Sequence, residues 1–354
     1  VGLAGRGMAN MRIAVDAMGG DHAPGVIVEG ASLAAREMKG AVEIVLVGDE
    51  PLLRRELEQQ GLRRDEFELI HAPEAVAMNE SPTAAARKKP NSSIALCARA
   101  HREGRVDALV SAGNTGAVVV SSLLSLGRLR HVNRPGIATF LPTERGGCVM
   151  IDVGANADCK PLNLLQFGVM GGMYAEMLLG RNEPSVGLLN IGSERSKGSE
   201  LVQAAHDLMI SSPLNFIGNV EGDGVFGGEA DVVVCDGFVG NVILKFTESV
   251  VGLLTSMIRS HVAADWRGRL GGALLKPAFR AFRTQLDYAE YGGAPLLGVD
   301  GVCIISHGSS SAKAIKNAVK VAGRFVDRNV NGSICQQLEA NGYVKARQKA
   351  TSAN

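Results

Sequence analysis

Apolar, β-branched residues recur along the chain in short runs, and each run stops at a small polar cluster: MRIAVDAMGGD, VEIVLVGDE, DALVSAGNTG, CVMIDVGAN, SVGLLNIGSE, NFIGNVEGD, DVVVCDGFVGN and VCIISHGSSS. Runs of that length bounded by Gly, Asn, Asp and Ser predict strands. Between most of them lie Ala- and Leu-rich stretches with helical spacing, for example 29–39, 51–60, 164–179 and 312–327. Strands alternating with helices predict an α/β fold with a mainly parallel, doubly wound sheet. Ligands of such sheets collect at the carboxyl ends of the strands, which is where the small polar residues gather. Three strand-to-helix turns, SAGNTGA (111–117), DGFVGNVILK (236–245) and SHGSSSAKAI (306–315), each offer backbone N–H groups and the positive end of a helix dipole to an anion. Convergence of several of them at one sheet edge would strengthen that reading. Asn114, Thr115 and Ser309 would serve equally well as helix caps.

One stretch, GDGVFGG (222–228), spells G-x-G-x-x-G through Gly222, Gly224 and Gly227. A dinucleotide site needs a strand before that pattern and a long crossover helix opening on it. Here another strand-like run, EADVVVCDG, follows within a few residues, so the segment reads as a turn or short loop and no nucleotide site is expected.

Composition narrows the function classes. Lys plus Arg (37) and Asp plus Glu (36) nearly cancel, so no global field draws the protein to nucleic acid or a membrane. Aromatics are scarce at 4 %, which leaves few stacking platforms for bases, and no nucleic-acid partner is expected. The six cysteines are scattered, without C-x-x-C pairs or histidines at zinc spacing, and read as reduced thiols of a cytosolic protein. No run of about eighteen apolar residues is present, so no bilayer-spanning helix is expected. Residues 1–10 read as a tag remnant or loose tail, and 347–354 as a second tail. The remainder, 11–346, reads as one α/β domain, with lobes at about 11–147 plus 299–346 and at 148–298.

Candidate chemistry sits at the strand ends. Lys197, between Ser196 and Gly198 in a loop that also carries Glu194, is placed to neutralise a phosphate or a developing oxyanion, or is a solvated surface charge. Asp152, Asn156, Asp158 and Lys160 cluster after another strand; two carboxylates there fit a metal poorly, and Asp152 would equally hold backbone N–H groups, so no metal is expected. There is no G-x-S-x-G elbow, and of the seven histidines only His22 and His307 fall in strand-end loops.

Taken in order, the segments DAMGGDHAP, NESPTAAARKKPNSS, SAGNTGA, RPGIATFLPT, DVGANADCKPLNLLQFGVMG, LLNIGSERSKG, FIGNVEGDGVFGGEADVVVCDGFVGN and EYGGAPLLGVDGVCIISHGSSSAKAI closely resemble the bacterial phosphate acyltransferase (PlsX) family of phospholipid synthesis, from about Met11 to Gly342. The resemblance implies a fold like that of the isocitrate and isopropylmalate dehydrogenases and phosphotransacetylase, with two lobes about a cleft, and a homodimer. It implies acyl transfer from long-chain acyl-acyl-carrier protein to inorganic phosphate, with no nucleotide, metal or other cofactor. The product would feed a membrane-bound glycerol-3-phosphate acyltransferase. The family's critical lysine falls on Lys197 of SERSKG and its critical asparagine on Asn241 of DGFVGN. Phosphate is itself an oxygen nucleophile, so no acyl-enzyme is required, and the protein mainly holds two anionic partners in attack geometry. Asn114, Thr115, Asn156, Asn219, Asp236, His307 and Ser309 are expected to line the substrate and phosphate site.

A last segment, WRGRLGGALLKPAFRAFRTQL (266–286), is amphipathic. On a helical wheel Leu270, Leu274, Ala278, Ala281 and Phe282 fall on one arc and Arg269, Lys276, Arg280 and Arg283 on the other. Such a segment suits an anionic membrane surface, an acidic carrier protein or a dimer partner. The resemblance, whose members associate peripherally with the inner face of the cell membrane from the cytoplasm, favours a membrane-facing tip. Rival readings are a short-chain phosphotransacetylase acting on acyl-CoA, a non-catalytic membrane scaffold, and a metal-dependent decarboxylating dehydrogenase of the same fold.

Overall fold

A computed structural model describes residues 11–263, 270–277 and 291–341. The apolar runs form strands because both faces of the sheet are covered by helices. Val232, Val233 and Val234, for instance, are all fully buried, as continuous β-branched runs of a two-sided sheet should be. The elements in chain order are β1 (Met11–Asp16), α1 (Gly25–Glu37), β2 (Val42–Gly48), α2 (Glu50–Gln59), β3 (Glu68–His71), α3 (Pro82–Lys88), α4 (Ser93–Arg102), β4 (Ala108–Ser111), α5 (Thr115–Ser125), β5 (Gly136–Leu141), β6 (Cys148–Ile151) and α6 (Pro161–Leu179). There follow β7 (Val186–Leu189), α7 (Glu200–Ile210), β8 (Phe216–Val220), α8 (Gly222–Gly227), β9 (Val232–Val234), α9 (Gly237–Ala263) and a helical segment, α10, at 270–277. The chain closes with β10 (Ala294–Leu297), β11 (Cys303–Ile305), α11 (Ala312–Asp327) and α12 (Val330–Ala340).

Among the described residues, eleven strands join one sheet in the order β3-β2-β1-β4-β11-β10-β5-β6-β9-β7-β8. Pairing is parallel from β3 through β11 and again from β6 through β8. Between these blocks β10 is antiparallel to both β11 and β5, and β5 is antiparallel to β6. Three reversals leave β6, β7, β8 and β9 running opposite to β1, β2, β4 and β11. The carboxyl ends of the two blocks therefore emerge at opposite edges of the sheet. The turn at 236–245 therefore opens at one edge and those at 111–117 and 306–315 at the other.

Helix packing follows the stripes. α11 buries Ala314, Ile315, Ala318, Val319, Ala322 and Phe325 on one face and crosses α1 at Gly30, where a β-carbon would stand 2.6 Å from Ile315 Cβ. Truncating Ile315 in that contact costs about 2–5 kcal/mol. Residues 222–227, expected as a turn, form the short helix α8. Glycines disfavour a helix, but Val225 is buried and Gly228 closes the helix in the left-handed conformation (φ 72°). At six residues α8 is no crossover helix of the dinucleotide-binding kind, and β7 separates β8 from β9.

Within α9, Gly237–Val262 is long and apolar enough to cross a bilayer by length and composition alone, and Lys245 and Glu248 interrupt any continuous apolar run, as the sequence reading has it. Only 11 % of its most apolar window is buried, and Phe238, Val242, Phe246, Leu253, Leu254, Met257 and Ile258 are exposed. α10 folds back on the end of α9, since a β-carbon on Gly272 would overlap Val262 Cγ1.

Candidate active site

At the carboxyl edge of β6, β9, β7 and β8 the chain builds one polar cluster from the strand ends upward. Asp152, fully buried just past β6, accepts N–H bonds from Ile137 (3.0 Å), Gly154 (3.0 Å), Ala155 (2.9 Å) and Asn156 (2.8 Å), and from Asn156 Nδ2 (2.9 Å). Both carboxylate oxygens are thus spent on the turn. Burial pushes the Asp152 carboxyl up from its ordinary value, and the hydrogen bonds oppose it. Asn156 Nδ2 also donates to Pro135 O at 2.6 Å, and Asn156 O accepts the Gly237 N–H at 2.8 Å.

That last bond docks the start of α9. Asp236 caps the helix, its Oδ1 accepting the Val239 N–H at 2.9 Å. Gly237 and Gly240 let the first turn sit flush on the Asp152 turn: a β-carbon on Gly237 would stand 2.7 Å from Asp152 Oδ2, and one on Gly240 would overlap Asp152 O. Asn241, one turn into α9, lies over Gly154, whose missing β-carbon would be 3.6 Å from Asn241 Oδ1.

Lys197 belongs to the loop after β7, the strand next to β9. Its side chain is exposed. The loop is held by side-chain amides: Asn219 Nδ2 donates to Glu194 O (2.9 Å), Asn190 Nδ2 to Lys197 O (3.1 Å), and Gln203 Nε2 to Ser196 O (2.7 Å) and Gly198 O (3.1 Å). α7 begins directly after this loop, so the N-termini of α7 and α9 both open on this edge. An ammonium, a primary amide and two helix N-termini make a setting for an oxyanion or a phosphate. Sequence reading had not singled out Asn190 or Gln203; the signal was the amide-rich ends of β7 and α7.

The second cluster lies at the opposite edge, at the ends of β1, β4 and β11. Asp16 is buried there and accepts Ser111 Oγ–H at 2.6 Å, while Ser111 Oγ accepts the Gly113 N–H at 3.1 Å. Burial pushes the Asp16 carboxyl up, against hydrogen bonds from Ser111 and Ser93. A small cavity is lined by Asp16, Ser93, Ser111, Asn114, Val76 and Val118. Asn114 caps α5 through Ala117 N (3.0 Å) and clamps the 77–80 loop through Nδ2 to Met78 O and Glu80 O (both 3.0 Å), with exposed Thr115 beside it. His307 Nδ1 lies 2.8 Å from Ser309 Oγ and accepts the Ser309 N–H at 3.2 Å.

The structure therefore brings Lys197, Asn241, Asn156, Asn219 and Asp236 to one edge of the sheet and leaves Asn114, Thr115, His307 and Ser309 at the other. Of the amphipathic segment, Leu274 and Lys276 fall on α10, and Leu274 is 76 % exposed. Arg269, Arg280, Phe282 and Arg283 lie outside the described residues.

Comparison with known proteins bears on this architecture. Residues 11–333 match the family model of the fatty acid synthesis protein. The chain is 53 % identical over 332 residues to the phosphate acyltransferase of Heliobacterium modesticaldum, spanning 93 % of this chain and 98 % of that protein. It is 48 % identical over 333 residues to that of Pelotomaculum thermopropionicum, spanning 93 % and 96 %. Among solved structures it resembles a phosphotransacetylase from Streptococcus pyogenes (TM-score 0.61, 17 % identity, 90 % of this chain and 94 % of that one). The EutD phosphotransacetylase from Staphylococcus aureus is similar in fold as well (TM-score 0.58, 18 % identity, 90 % and 94 %).

Proposed function

The chain belongs to the fatty acid synthesis protein family and is an acyltransferase, and from that premise we propose that it moves a long-chain acyl group from acyl carrier protein to inorganic phosphate. A phosphate oxygen attacks the thioester carbonyl carbon to form a tetrahedral oxyanion. Collapse breaks the C–S bond, the electron pair leaves on the carrier's sulfur, and the thiolate takes a proton from solvent. The products are an acyl phosphate and free carrier, and a membrane glycerol-3-phosphate acyltransferase would use the former on the way to phosphatidic acid. In this reading Lys197 offsets the charge of phosphate and Asn241 donates to phosphate or to the oxyanion.

The observation that carries the reading is that neighbouring strands β7 and β9 deliver Lys197 and Asn241 to one edge, beside the N-termini of α7 and α9. Direct attack without an acyl-enzyme is supported by the thiols. Burial pushes all six upward, Cys159 to about 11 and Cys148 and Cys303 to about 12, so none is a ready thiolate. The His307–Ser309 pair sits at the opposite edge of the sheet. Ile191, 81 % exposed in the Lys197 loop, and Phe238, 65 % exposed three residues before Asn241, offer apolar surface to an acyl chain.

The same reading includes a homodimer and peripheral membrane attachment. A second copy of the chain would cover the apolar face of α9, and the α10 tip, with Leu270, Leu274 and Leu275 exposed, would meet the membrane. The deciding experiment incubates the purified protein with palmitoyl-carrier protein and phosphate and follows acyl phosphate by phosphorus NMR, beside Lys197→Ala. Product from the wild type at a rate well above that of the variant supports the reading. Turnover of acetyl-CoA but not of palmitoyl-carrier protein would replace it with the short-chain one.

A further inference from the structure

We infer that Asn190 and Asn219 are positioning residues that fix the backbone on both sides of Lys197, an inference that rests on the reading of Lys197 as the phosphate-binding cation. The Lys197 N–H donates to Glu194 O at 3.0 Å, and the same carbonyl receives Asn219 Nδ2 at 2.9 Å. The Lys197 carbonyl receives Asn190 Nδ2 at 3.1 Å. Both asparagines stand on the sheet: Asn219 is in β8, and the backbone N–H of Asn190 extends the β7–β8 ladder to Val220 O at 2.9 Å. Asn190 Oδ1 accepts the Ile191 N–H at 2.8 Å, which aims its NH₂ group at the loop.

Gly198 completes the clamp. Its φ of +88° is open to glycine, and a β-carbon there would stand 2.5 Å from Asn190 Oδ1, so the loop closes on Asn190 only because this residue lacks one. The peptides before and after Lys197 are thereby tied to two adjacent strand ends while its side chain stays exposed. A long flexible lysine gains reach from its stem and accuracy from its Cα; a shift of about 1 Å in a positioning element costs on the order of 10² in rate. Asn219, expected from sequence to touch phosphate, has its donor spent on Glu194 O. Its Oδ1 is buried with no partner among the described residues, so neither end of the amide faces outward toward a ligand.

The test compares full-length Asn190→Asp, Asn219→Asp, Lys197→Ala and the Asn190→Asp/Lys197→Ala double variant in the acyl phosphate assay, each checked for cooperative melting. The Asp substitutions keep the shape and remove the donor. Each single Asp variant is expected to lower kcat and raise KM for phosphate, together by about ten- to a hundredfold in kcat/KM, with KM for the acyl donor unchanged. The double variant should be no slower than Lys197→Ala, because the asparagine acts through the lysine. If Asn190→Asp fails to fold, Gly198→Ala displaces the loop from the other side and is read in the same way. Wild-type kinetics of both Asp variants beside an impaired Lys197→Ala would overturn the inference and leave the role of Lys197 standing. A further loss in the double variant would mark a general structural role and overturn it too. Full activity of Lys197→Ala would overturn both.

Discussion

Gly240 lies so close to the carbonyl oxygen of Asp152 that a β-carbon at this position would overlap it. The contact seats the first turn of α9, and with it Asn241, on the turn that Asp152 organises. Gly240→Ala must therefore push the helix start away from the β6 end. We expect a loss of about 1–3 kcal/mol in stability from overpacking and a fall in kcat of about tenfold or more from displacement of Asn241. Thermal melts and the acyl phosphate assay on the one variant read the two effects separately.

Removing the charge or the amide itself should cost more than displacing it. Lys197→Ala and Asn241→Ala are each expected to lower kcat by about 10²–10³, the usual cost of one donor at a developing oxyanion. Their melting temperatures should stay near wild type for Lys197→Ala, whose side chain is exposed. Activity of either variant within a factor of about three of wild type would remove that residue from the mechanism.

The thiols predict an insensitivity. Cys97, Cys148, Cys235 and Cys303 are buried, and burial raises all six thiols, so a thiolate-selective alkylating reagent at neutral pH should leave turnover almost unchanged in the folded protein. Rapid, stoichiometric inactivation protected by acyl donor would place a cysteine in the chemistry.

How much of this was legible in the sequence follows from what each signal encodes. All eight quoted apolar runs became strands, because continuous burial leaves a local mark on composition. Three strands were missed. β3 (ELIH) is four residues long with exposed ends, β10 (APLL) opens on Ala and Pro, and β5 mixes Thr into its apolar residues. Those omissions mattered, since β5 and β10 supply the reversals that turn one block of strands against the other. The turns at Asn114, Asn241 and His307 were each read correctly as strand-to-helix junctions. Their separation to two edges depends on pairings between segments far apart in sequence, which no local pattern records. Asn190 escaped for a similar reason: its partners, Lys197 O and Gly198, are near in sequence, yet only the β7–β8 ladder aims it at them.

The proposed dimer makes a demand on the exposed face of α9. Replacing Phe246 (69 % exposed) and Leu253 (60 % exposed) together with Asp should convert a dimer to a monomer in sedimentation, with little change in the melting of the chain itself. An unchanged sedimentation coefficient would assign that face to something other than a second copy.

One surface network gives a pH dependence with a definite sign. Glu37, at the end of α1, is held by Lys316 (2.7 Å) and Lys320 (2.5 Å) of α11, whose hydrogen bonds lower its carboxyl from 4.5 to about 2. A carboxylate depressed in the folded state stabilises above its unfolded value and loses that contribution as pH falls toward the folded one. Glu37→Gln should therefore melt slightly below wild type at neutral pH, and the gap should shrink as pH is lowered from about 5 to about 3. Because the group is exposed, raising salt to about 1 M at neutral pH should shrink it as well.

The sheet order also governs synthesis. β4 ends at Ser111, and its neighbour β11 begins at Cys303, so the ribosome adds about 190 residues before that edge can be covered. At about 5–20 residues per second, a β4 formed during synthesis would keep that edge open for roughly 10–40 s. An open edge of buried-type residues is a template for pairing with other chains. Slowing translation between codons 111 and 303 should therefore lower soluble yield without altering the stability of the protein that escapes.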